Sequence, residues 1–373
     1  MSINILYLID AFETNYPRDQ NYIIKYMVER GHNVTVITSR DPRFECYDSS
    51  LFPRVKMLRF PILGRFRRAP IYFNPSMFKL LLQRFDVIHS FTFFTFSSVY
   101  ALAFRGGVKL IRSEILYPGS PTFLKARSNG TMYSWLTDIY KKCYDYYTAY
   151  NELEARSLEL LGFPKEGIVI VRPMIDFDKF SRLSKPKFGD EVSIGVIARI
   201  SPEKGLHRLI PIMKSIKGSS PEVLKKIRLL LAGRIDHQRY AFQVLTSLSK
   251  LLKERFVYMG EMAPPYEFYK MIDVMIVPSI TETGAISVLE GMAAGKIVVA
   301  SDIYPINLYI KHGCNGFLFR SYEDALKIIH RIVSMDVELK DIATRAQDYA
   351  QKHDYKTVCQ TLEKIYACKV SSN

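Results

Sequence analysis

The feature that most constrains this chain is a regular alternation, kept up from one end to the other, of short aliphatic runs and amphipathic helical patterns. At the start, the run Ile3–Ile9 is followed by a segment in which Ile23, Ile24 and Met27 share one helical face and Gly31 can end the helix. Such alternation is typical of βαβ units, whose strands form parallel sheets. The sequence therefore predicts an α/β fold.

The strand patterns form two series, separated by a polar stretch. In the first series we expect strands at Ile3–Ile9, Val34–Thr38, Val55–Arg59, Asp86–Ser90, Lys109–Arg112, Tyr147–Tyr150 and Ile168–Val171. In the second series we expect strands at Ser193–Ala198, Ile227–Ala232, Val257–Met259, Val274–Val277 and Ile297–Ala300. The stretch Arg182–Glu191 has a proline, a glycine and no periodicity, which indicates a linker.

The length of 373 residues suits two domains of about 150–200 residues each better than a single core. We predict a first domain over residues 1–182 and a second over residues 183–354, with a C-terminal helix at about 355–373 that packs back on the first. Doubly wound sheets bind ligands beyond the carboxyl ends of their strands. We therefore expect the two domains to face each other across a deep cleft, with the chemistry in loops that follow strands.

The composition indicates a cellular compartment and a class of binding partner. The 52 Lys and Arg residues against 37 Asp and Glu give a net charge of +15, which favours nucleic acid, anionic lipid or phosphorylated ligands. The five cysteines show no C-x-x-C spacing, which suits free thiols in a reducing compartment and argues against a zinc site. No apolar run reaches the ~18–20 residues of a membrane span, and Met1–Ala11 lacks a secretory signal. We expect a cytoplasmic protein, soluble or peripheral on the cytoplasmic face of a membrane.

The segment Arg199–Gly205 follows the first strand pattern of the second series. Ser201 can cap a helix that has Pro202 in its first turn. Arg199 and Lys204 would then flank a helix start at the carboxyl end of a strand, beside free backbone N–H groups, which suits an anionic phosphate. The alternative is an ordinary strand-to-helix turn with charges on its surface.

A second loop, Pro278–Ala285, opens a helix that we expect to end near Gly295. Glu282 lies in the loop, whereas Glu290 lies more than one turn inside the helix among apolar neighbours. A buried carboxylate is costly unless it is paired or hydrogen-bonded, so Glu290 suits vicinal hydroxyls such as those of a ribose. Gly284 lets the backbone approach a ligand closely. The alternative is a buried glutamate paired with a Lys or Arg.

In the second domain, the runs ARISPEKG, PSITETGAISVLEGMAAGKIVVASD and HGCNGFLF resemble the ordered signatures of glycosyltransferase family 4, which has the GT-B fold of two facing Rossmann-like domains. In the first domain, ERGHNVTVITS, DVIHSF and IVIVRPMIDFDKF match the family's equivalents in order. Each motif is weak alone, but the ordered set is specific. The resemblance implies a retaining transferase that moves a hexose from a UDP- or GDP-sugar to a glycan or lipid-linked acceptor, with the acceptor on the first domain and the donor on the second.

The resemblance also implies a role for each matching residue. Arg199 and Lys204 would neutralise the donor diphosphate. Glu290 would hold the ribose and Glu282 a hydroxyl of the transferred sugar. The remaining implied donor contacts are Ser279 and the backbone near Thr283, Gly284 and Ala285. No cofactor and no metal is implied, because cations and a helix dipole can stabilise the leaving diphosphate.

Three regions depart from the family pattern. The usual Gly-Gly loop after the first strand is replaced by Tyr16–Asn21, where Arg18 supplies charge or is only a solvated helix-start residue. The usual sugar-contacting histidine is replaced by Ser113-Glu114, which makes Glu114 the substitute candidate for a catalytic and acceptor-side contact. His89 either lines the cleft on the acceptor side or is a satisfied buried histidine. Pro305–Leu308 lacks the family's glycines and glutamate, which bears on donor selectivity.

Between Arg54 and Arg84, basic residues mix with aromatic and aliphatic ones. The basic residues are Arg54, Lys56, Arg59, Arg65, Arg67, Arg68, Lys79 and Arg84. This mixture suits an anionic membrane surface, and the alternative is a solvated loop followed by a core helix after Asn74. Two other functions stay open: a nucleic-acid-binding protein, although the chain has no recognisable module for it, and a non-catalytic paralogue that binds a partner.

Overall fold

The protein is described from a computed structural model, which covers residues 2–9, 12, 18–40, 52, 54–66, 69–71, 83–91, 108–113, 124, 127–128, 132–183, 186, 189–335 and 338–368. The chain divides into two compact units. The first comprises Met1–Met174 and Tyr355–Asn373, and the second comprises Ile175–Asp354.

In the described part of the first unit, a sheet of seven parallel strands has the order β3-β2-β1-β6-β7-β8-β9. Its strands are β1 (Asn4–Leu8), β2 (Asn33–Arg40), β3 (Val55–Pro61), β6 (Val87–Ser90), β7 (Lys109–Ser113), β8 (Tyr146–Ala149) and β9 (Ile168–Ile170). Strands β4 (Gly64–Phe66) and β5 (Ala69–Ile71) form a separate antiparallel hairpin. The helices are α1 (Asp19–Glu29), α2 (Met132–Cys143), α3 (Glu152–Leu160) and, from the end of the chain, α13 (Tyr355–Ala367).

Both faces of this sheet are covered. Along β1, Ile5 and Tyr7 contribute to one core, and Leu6 and Leu8 contribute to another. Strands buried on both sides have apolar residues at consecutive positions, which explains why they appear in the sequence as unbroken aliphatic runs. Helix α13 packs on α1, where the ring of Tyr22 stacks 5.3 Å from that of Tyr355.

The second unit contains six parallel strands among the described residues, in the order β12-β11-β10-β13-β14-β15. They are β10 (Val192–Ile197), β11 (Ile227–Ala232), β12 (Phe256–Tyr258), β13 (Val274–Val277), β14 (Ile297–Ser301) and β15 (Phe317–Phe319). The helices are α4 (Phe177–Ser181), α5 (Leu209–Ser219), α6 (Pro221–Lys225), α7 (Gln238–Leu252), α8 (Tyr266–Lys270), α9 (Ile286–Ala293), α10 (Ile306–Tyr309), α11 (Tyr322–Val333) and α12 (Leu339–Gln351). Along β11, Leu229 and Leu231 belong to one core and Leu230 and Ala232 to another, so this sheet is also covered on both faces.

The two parallel sheets with flanking helices confirm the predicted α/β fold. The structure divides the chain between Met174 and Ile175, whereas the sequence placed the boundary at residue 182. The reason is Phe180 of α4, whose buried ring lies 5.0 Å from that of Tyr266 and 5.3 Å from that of Tyr269 in the second unit. Apolar packing therefore assigns α4 to the second unit.

Further comparisons with the sequence concern the shortest strands, the helix after Asn74 and membrane spans. The sequence did not predict strand β15 or the β4–β5 hairpin, although it located β9 and β12, which are equally short. The helix expected after Asn74 lies outside the described residues. Across the ranges described above, no helix combines the length and apolar character needed to cross a membrane.

Candidate active site

The loops that follow β10 and β13 lie side by side because these strands are neighbours in the second sheet. The backbone N–H of Ile280 donates to the carbonyl of Glu203 over 2.9 Å. Gly205 has a φ of 63°, and a Cβ at this position would lie 2.1 Å from the carbonyl oxygen of Pro278. Only glycine fits so close a contact with a left-handed backbone, so the two loops form one surface at the carboxyl ends of the strands.

Lys204 and Glu282 meet on this surface. The Nζ of Lys204 lies 2.8 Å from Oε1 of Glu282, and their side chains are 19% and 7% exposed. The buried hydroxyl of Ser279 donates to the same oxygen over 2.7 Å. The carboxylate is thus held by a cation and a hydroxyl, and burial strengthens this electrostatic attraction. The sequence predicted all three residues for the donor site, and the structure brings them into contact.

Arg199 lies at the exposed edge of the same region, with 47% of its side chain accessible. Its Nη1 lies 2.6 Å from Oδ2 of Asp236, and its Nη2 lies 3.2 Å from Oε1 of Glu203. Arg234 also pairs with Asp236, over 2.9 Å. Burial acts to raise the pKa of Asp236, but hydrogen bonds from Arg199 and Arg234 outweigh it and hold the pKa below its usual value.

The sequence reasoning did not name Asp236 or Arg234. Both follow the end of β11, and a survey of charged residues after every strand of the second series would have found them.

Ser201 lies at the N-cap position that the sequence predicted, with Pro202 next to it, but the capping hydrogen bond is absent. The Ser201 hydroxyl donates to Oε1 of Glu203 over 2.6 Å and makes no capping bond to the backbone. The chain forms two short 3₁₀ turns on either side of Gly205, and regular helix starts only at Leu209. The left-handed backbone of Gly205 interrupts the helix that the pattern suggested.

Glu290 lies inside α9, buried to 8% exposure. The hydroxyl of Tyr269 donates to its Oε2 over 2.9 Å. Burial raises the pKa of Glu290 to about 7, and the hydrogen bond from Tyr269 opposes this rise. The sequence anticipated a buried glutamate here, paired with a ligand or with a cation. Tyr269, its partner in the structure, lies on α8 and carries no signal in the sequence that would have named it.

The predicted donor-binding backbone at Thr283, Gly284 and Ala285 forms the entrance to α9. Thr283 is exposed, and Gly284 and Ala285 are buried. Ala285 has the left-handed angles φ 45° and ψ 40° at the start of the helix, and the hydroxyl of Tyr309 donates to the carbonyl of Gly284 over 3.1 Å. Glu282 and Glu290 thus lie on either side of a helix start whose first N–H groups have no partner within the helix.

The acceptor-side candidates of the first unit have different surroundings. His89 is fully buried, with Nδ1 2.5 Å from the hydroxyl of Tyr366 and Nε2 2.7 Å from that of Ser113. Burial lowers its pKa to about 3. This geometry favours the satisfied buried histidine over a residue that lines a cleft. Arg18 is an exposed residue that immediately precedes α1, and Glu114 lies outside the described residues.

The first unit also contains a buried acid that the sequence reasoning missed. Asp19 accepts a hydrogen bond from the hydroxyl of Tyr150 and another from the backbone N–H of Met174, the latter over 3.2 Å. Burial raises the pKa of Asp19 to about 6. Its position next to Arg18, in the loop that departs from the family pattern, would have been the signal.

Two family models match the chain. The model described as "Glycosyl transferases group 1" matches residues 178–353, and "Glycosyltransferase Family 4" matches residues 21–179. Among curated proteins, the chain is 25% identical over 233 residues to the putative colanic acid biosynthesis glycosyltransferase WcaL of Salmonella typhimurium, covering 58% of this chain and 55% of the relative. It is 24% identical to the D-inositol 3-phosphate glycosyltransferase of Rhodococcus erythropolis, covering 57% and 51%. The match thus spans about half the length of these relatives.

Solved structures resemble the chain over nearly its whole length. Anabaena Alr3699/HepE in complex with UDP and glucose has a TM-score of 0.75 at 19% identity, covering 98% of this chain and 100% of that one. A glycosyltransferase from Rickettsia africae has a TM-score of 0.74 at 16% identity, covering 98% of each chain. At these identities the likeness concerns the fold.

Proposed function

The chain belongs to the group 1 glycosyltransferases and has the GT-B fold, and on this premise we propose that it is a retaining hexosyltransferase. It would move a hexose from a UDP- or GDP-sugar to a glycan or lipid-linked acceptor. The observation that carries the proposal is the contact of Lys204, Glu282 and Ser279 at the carboxyl ends of β10 and β13. Glu282 lies shortly before the N-terminus of α9, the helix that contains Glu290.

In the proposed complex, Arg199 and Lys204 face the donor diphosphate. Binding would exchange the carboxylate partners of Arg199 for phosphate oxygens, which suit a guanidinium. The ammonium of Lys204 has three donors, so it would bind a phosphate oxygen while it keeps its contact with Glu282. Glu290 would accept hydrogen bonds from the ribose hydroxyls, and Glu282 from a hydroxyl of the sugar. Anabaena Alr3699/HepE was solved with UDP and with UDP-glucose, which supports a UDP-sugar as the first donor to try.

The proposed reaction proceeds on one face of the sugar. The acceptor hydroxyl oxygen attacks the anomeric carbon from the face that the diphosphate leaves, as the bond to the diphosphate oxygen breaks through an oxocarbenium-like state. The proton of the acceptor hydroxyl passes to the departing diphosphate oxygen, and the configuration is retained. Lys204, Arg199 and the N-terminus of α9 would stabilise the negative charge that develops on the departing diphosphate, so the proposal includes no metal and no cofactor. The protein's main contributions are orientation and charge stabilisation.

We propose that the acceptor binds to the first unit, where Arg18 and Glu114 are its candidate contacts. A lipid-linked acceptor would be presented there by a membrane surface. The described part of the basic segment shows exposed Arg54, Lys56 and Arg84, and Leu63 is 66% exposed. Exposed cations in a segment that also exposes an aliphatic side chain suit an anionic lipid surface. This supports a peripheral protein at the cytoplasmic membrane face. The satisfied, buried ring of His89 is a poor acceptor contact, so it has no role in the proposal.

A panel of nucleotide sugars tests the function. Thermal unfolding of the purified chain with UDP-, GDP-, ADP- and dTDP-hexoses identifies donors by an upward shift in Tm. NMR of the sugar released from the best donor then gives its anomeric configuration at early times. We expect stabilisation by a UDP- or GDP-sugar and release of the sugar with the donor's own configuration. No shift and no hydrolysis with any donor would contradict the proposal and favour a non-catalytic paralogue, and inverted product would contradict retention.

A further inference from the structure

Arg208, which is not among the proposed donor-binding residues, contacts the ends of several strands next to the candidate site. Arg208 is half-buried at the end of the second 3₁₀ turn after β10. Its Nη1 donates to the hydroxyl of Ser301 over 2.8 Å, to the carbonyl of Pro278 over 3.2 Å and to that of Ser279 over 3.4 Å. Its guanidinium carbon lies 5.3 Å from the ring centre of Phe319. These partners belong to or directly follow β13, β14 and β15.

The carbonyls that Arg208 holds need a donor because the strand has ended. Strand β13 stops at Val277, so the next carbonyls leave the ladder of the sheet while Pro278 and Ser279 are still buried. Buried backbone carbonyls are nearly always hydrogen-bonded, and a charged donor makes the stronger bond. A planar guanidinium can bond and stack on an aromatic ring at once, which an ammonium group does less well.

The same backbone leads directly to the proposed donor site. Ser279, whose carbonyl accepts from Arg208, donates its hydroxyl to Glu282. Pro278, the other acceptor, lies against Gly205, next to Lys204. Arg208 therefore holds one side of the loop whose other side meets the lysine, and its loss would release the segment that carries Glu282.

We propose that Arg208 is a positioning residue, which fixes the loop from Pro278 to Glu282 so that the contact of Lys204, Glu282 and Ser279 is formed before the donor binds. The inference rests on the proposed function for its consequence in catalysis. It does not need that function for its structural part, because the loop is held by Arg208 whatever the ligand is. A small displacement of a positioned group is enough to cost about 100-fold in rate.

The test compares Arg208→Met and Arg208→Lys with the wild-type chain and with Arg228→Met, which removes an exposed arginine of β11. The measurements are steady-state rates with UDP-glucose, thermal unfolding, and hydrogen exchange at the amides of Ile280 and Thr281, both bonded to the carbonyl of Glu203. We expect Arg208→Met to lower kcat/KM about 100-fold, mainly through kcat, and to speed exchange about 10-fold, while the buried acceptors left without a donor lower the Tm by only a few degrees. Arg208→Lys should be intermediate, and added guanidinium ion should restore part of the Arg208→Met rate.

Rates and exchange within twofold of wild type in Arg208→Met would overturn the inference. A loss of activity that accompanies a lowered Tm and is not restored by guanidinium would also overturn the inference, since that result marks a purely structural role. If Arg208→Met does not fold, Ser301→Ala decides, because it removes the acceptor of the shortest bond: faster exchange at Ile280 supports the inference, and unchanged exchange overturns it. A wild-type chain that turns over no nucleotide sugar contradicts the proposed function instead, and the exchange comparison still tests Arg208.

Discussion

The hydroxyl of Tyr269 donates a 2.9 Å hydrogen bond to Oε2 of Glu290, and both residues are buried in the core of the second unit. Burial raises the pKa of Glu290 to about 7, against an ordinary value of 4.5, and the bond from Tyr269 works in the opposite direction. The carboxylate proposed to hold the ribose is therefore close to half-protonated at neutral pH. Only its ionised form accepts hydrogen bonds from two hydroxyls at full strength.

The affinity for donor should depend on pH through Glu290. As pH rises from 6 to 8, ionisation of Glu290 should tighten the binding of UDP-glucose, whose diphosphate has no group titrating near neutrality. Tyr269→Phe removes a bond that lowers the pKa of Glu290, so its binding curve should move to higher pH and its Kd at pH 7 should rise about 3- to 10-fold. Titration calorimetry between pH 5.5 and 9 measures both effects. Parallel, pH-independent curves for the two proteins would argue against a titrating Glu290.

Stability should change with pH in the opposite sense. The folded pKa of Glu290 is raised, so its contribution to stability is full below the unfolded value of 4.5 and is lost as pH rises through about 7. Glu290→Gln keeps an acceptor for Tyr269 and carries no charge. We expect this variant to match wild type at pH 4.5 and to exceed it by roughly 1–3 kcal/mol at pH 8. Denaturant unfolding at the two pH values measures the difference, and an equal gain at both would contradict the buried-charge explanation.

The contact of Lys204 with Glu282 should behave as a partly buried ion pair, because the lysine side chain is 19% exposed and the glutamate 7%. Lys204→Met leaves a buried carboxylate without its cation, so it should destabilise the fold by about 3 kcal/mol. Glu282→Gln leaves an ammonium that water can reach, so it should cost less. The double variant should be less destabilised than the sum of the singles, because no buried charge remains unpaired. A double-mutant cycle by denaturant unfolding measures this coupling. Simple additivity would show that the two side chains do not interact in solution.

Asp236 should compete with the donor for Arg199. In the structure both terminal nitrogens of Arg199 contact carboxylates, those of Asp236 and Glu203. Asp236→Asn keeps the shape and removes the charge, so we expect UDP to bind about 2- to 5-fold more tightly, in keeping with the modest energy of an exposed pair. Glu222→Gln, at an exposed ion pair on α6, is the matched control. Weaker binding by Asp236→Asn would mean that Asp236 orients Arg199 for the donor and does not compete.

The sequence was most informative where a pattern repeats. Strands such as β10, β11 and β13 were located within a residue or so, because parallel strands buried on both faces are continuous apolar runs. The loops of the candidate site were found because charged residues follow those runs. The 3₁₀ turns around Gly205 were not predicted, since a left-handed glycine in a charged loop has no periodicity of its own.

Contacts between residues distant in the chain could not be predicted from the sequence. Tyr269 and Glu290 are 21 residues apart, and Arg208 reaches Ser301 across 93 residues. Neither pairing follows from local composition, because a tyrosine on a short helix and an arginine in a basic chain are ordinary residues. They depend on the order of the strands, which brings the carboxyl ends of β10, β13 and β14 together.

The measurement that tests the central claim most directly is the binding of UDP-glucose and GDP-mannose to the wild-type chain, to Glu290→Ala and to Glu267→Ala at pH 8. Glu267 is an exposed glutamate of α8 and serves as the control for removal of a carboxylate from the same unit. By calorimetry we expect the wild-type chain to bind one of the two donors at a single site, Glu267→Ala to bind it within twofold of wild type, and Glu290→Ala to bind it at least about 30-fold more weakly. A Glu290→Ala variant that binds and turns over the donor like wild type would contradict the assignment of the donor site.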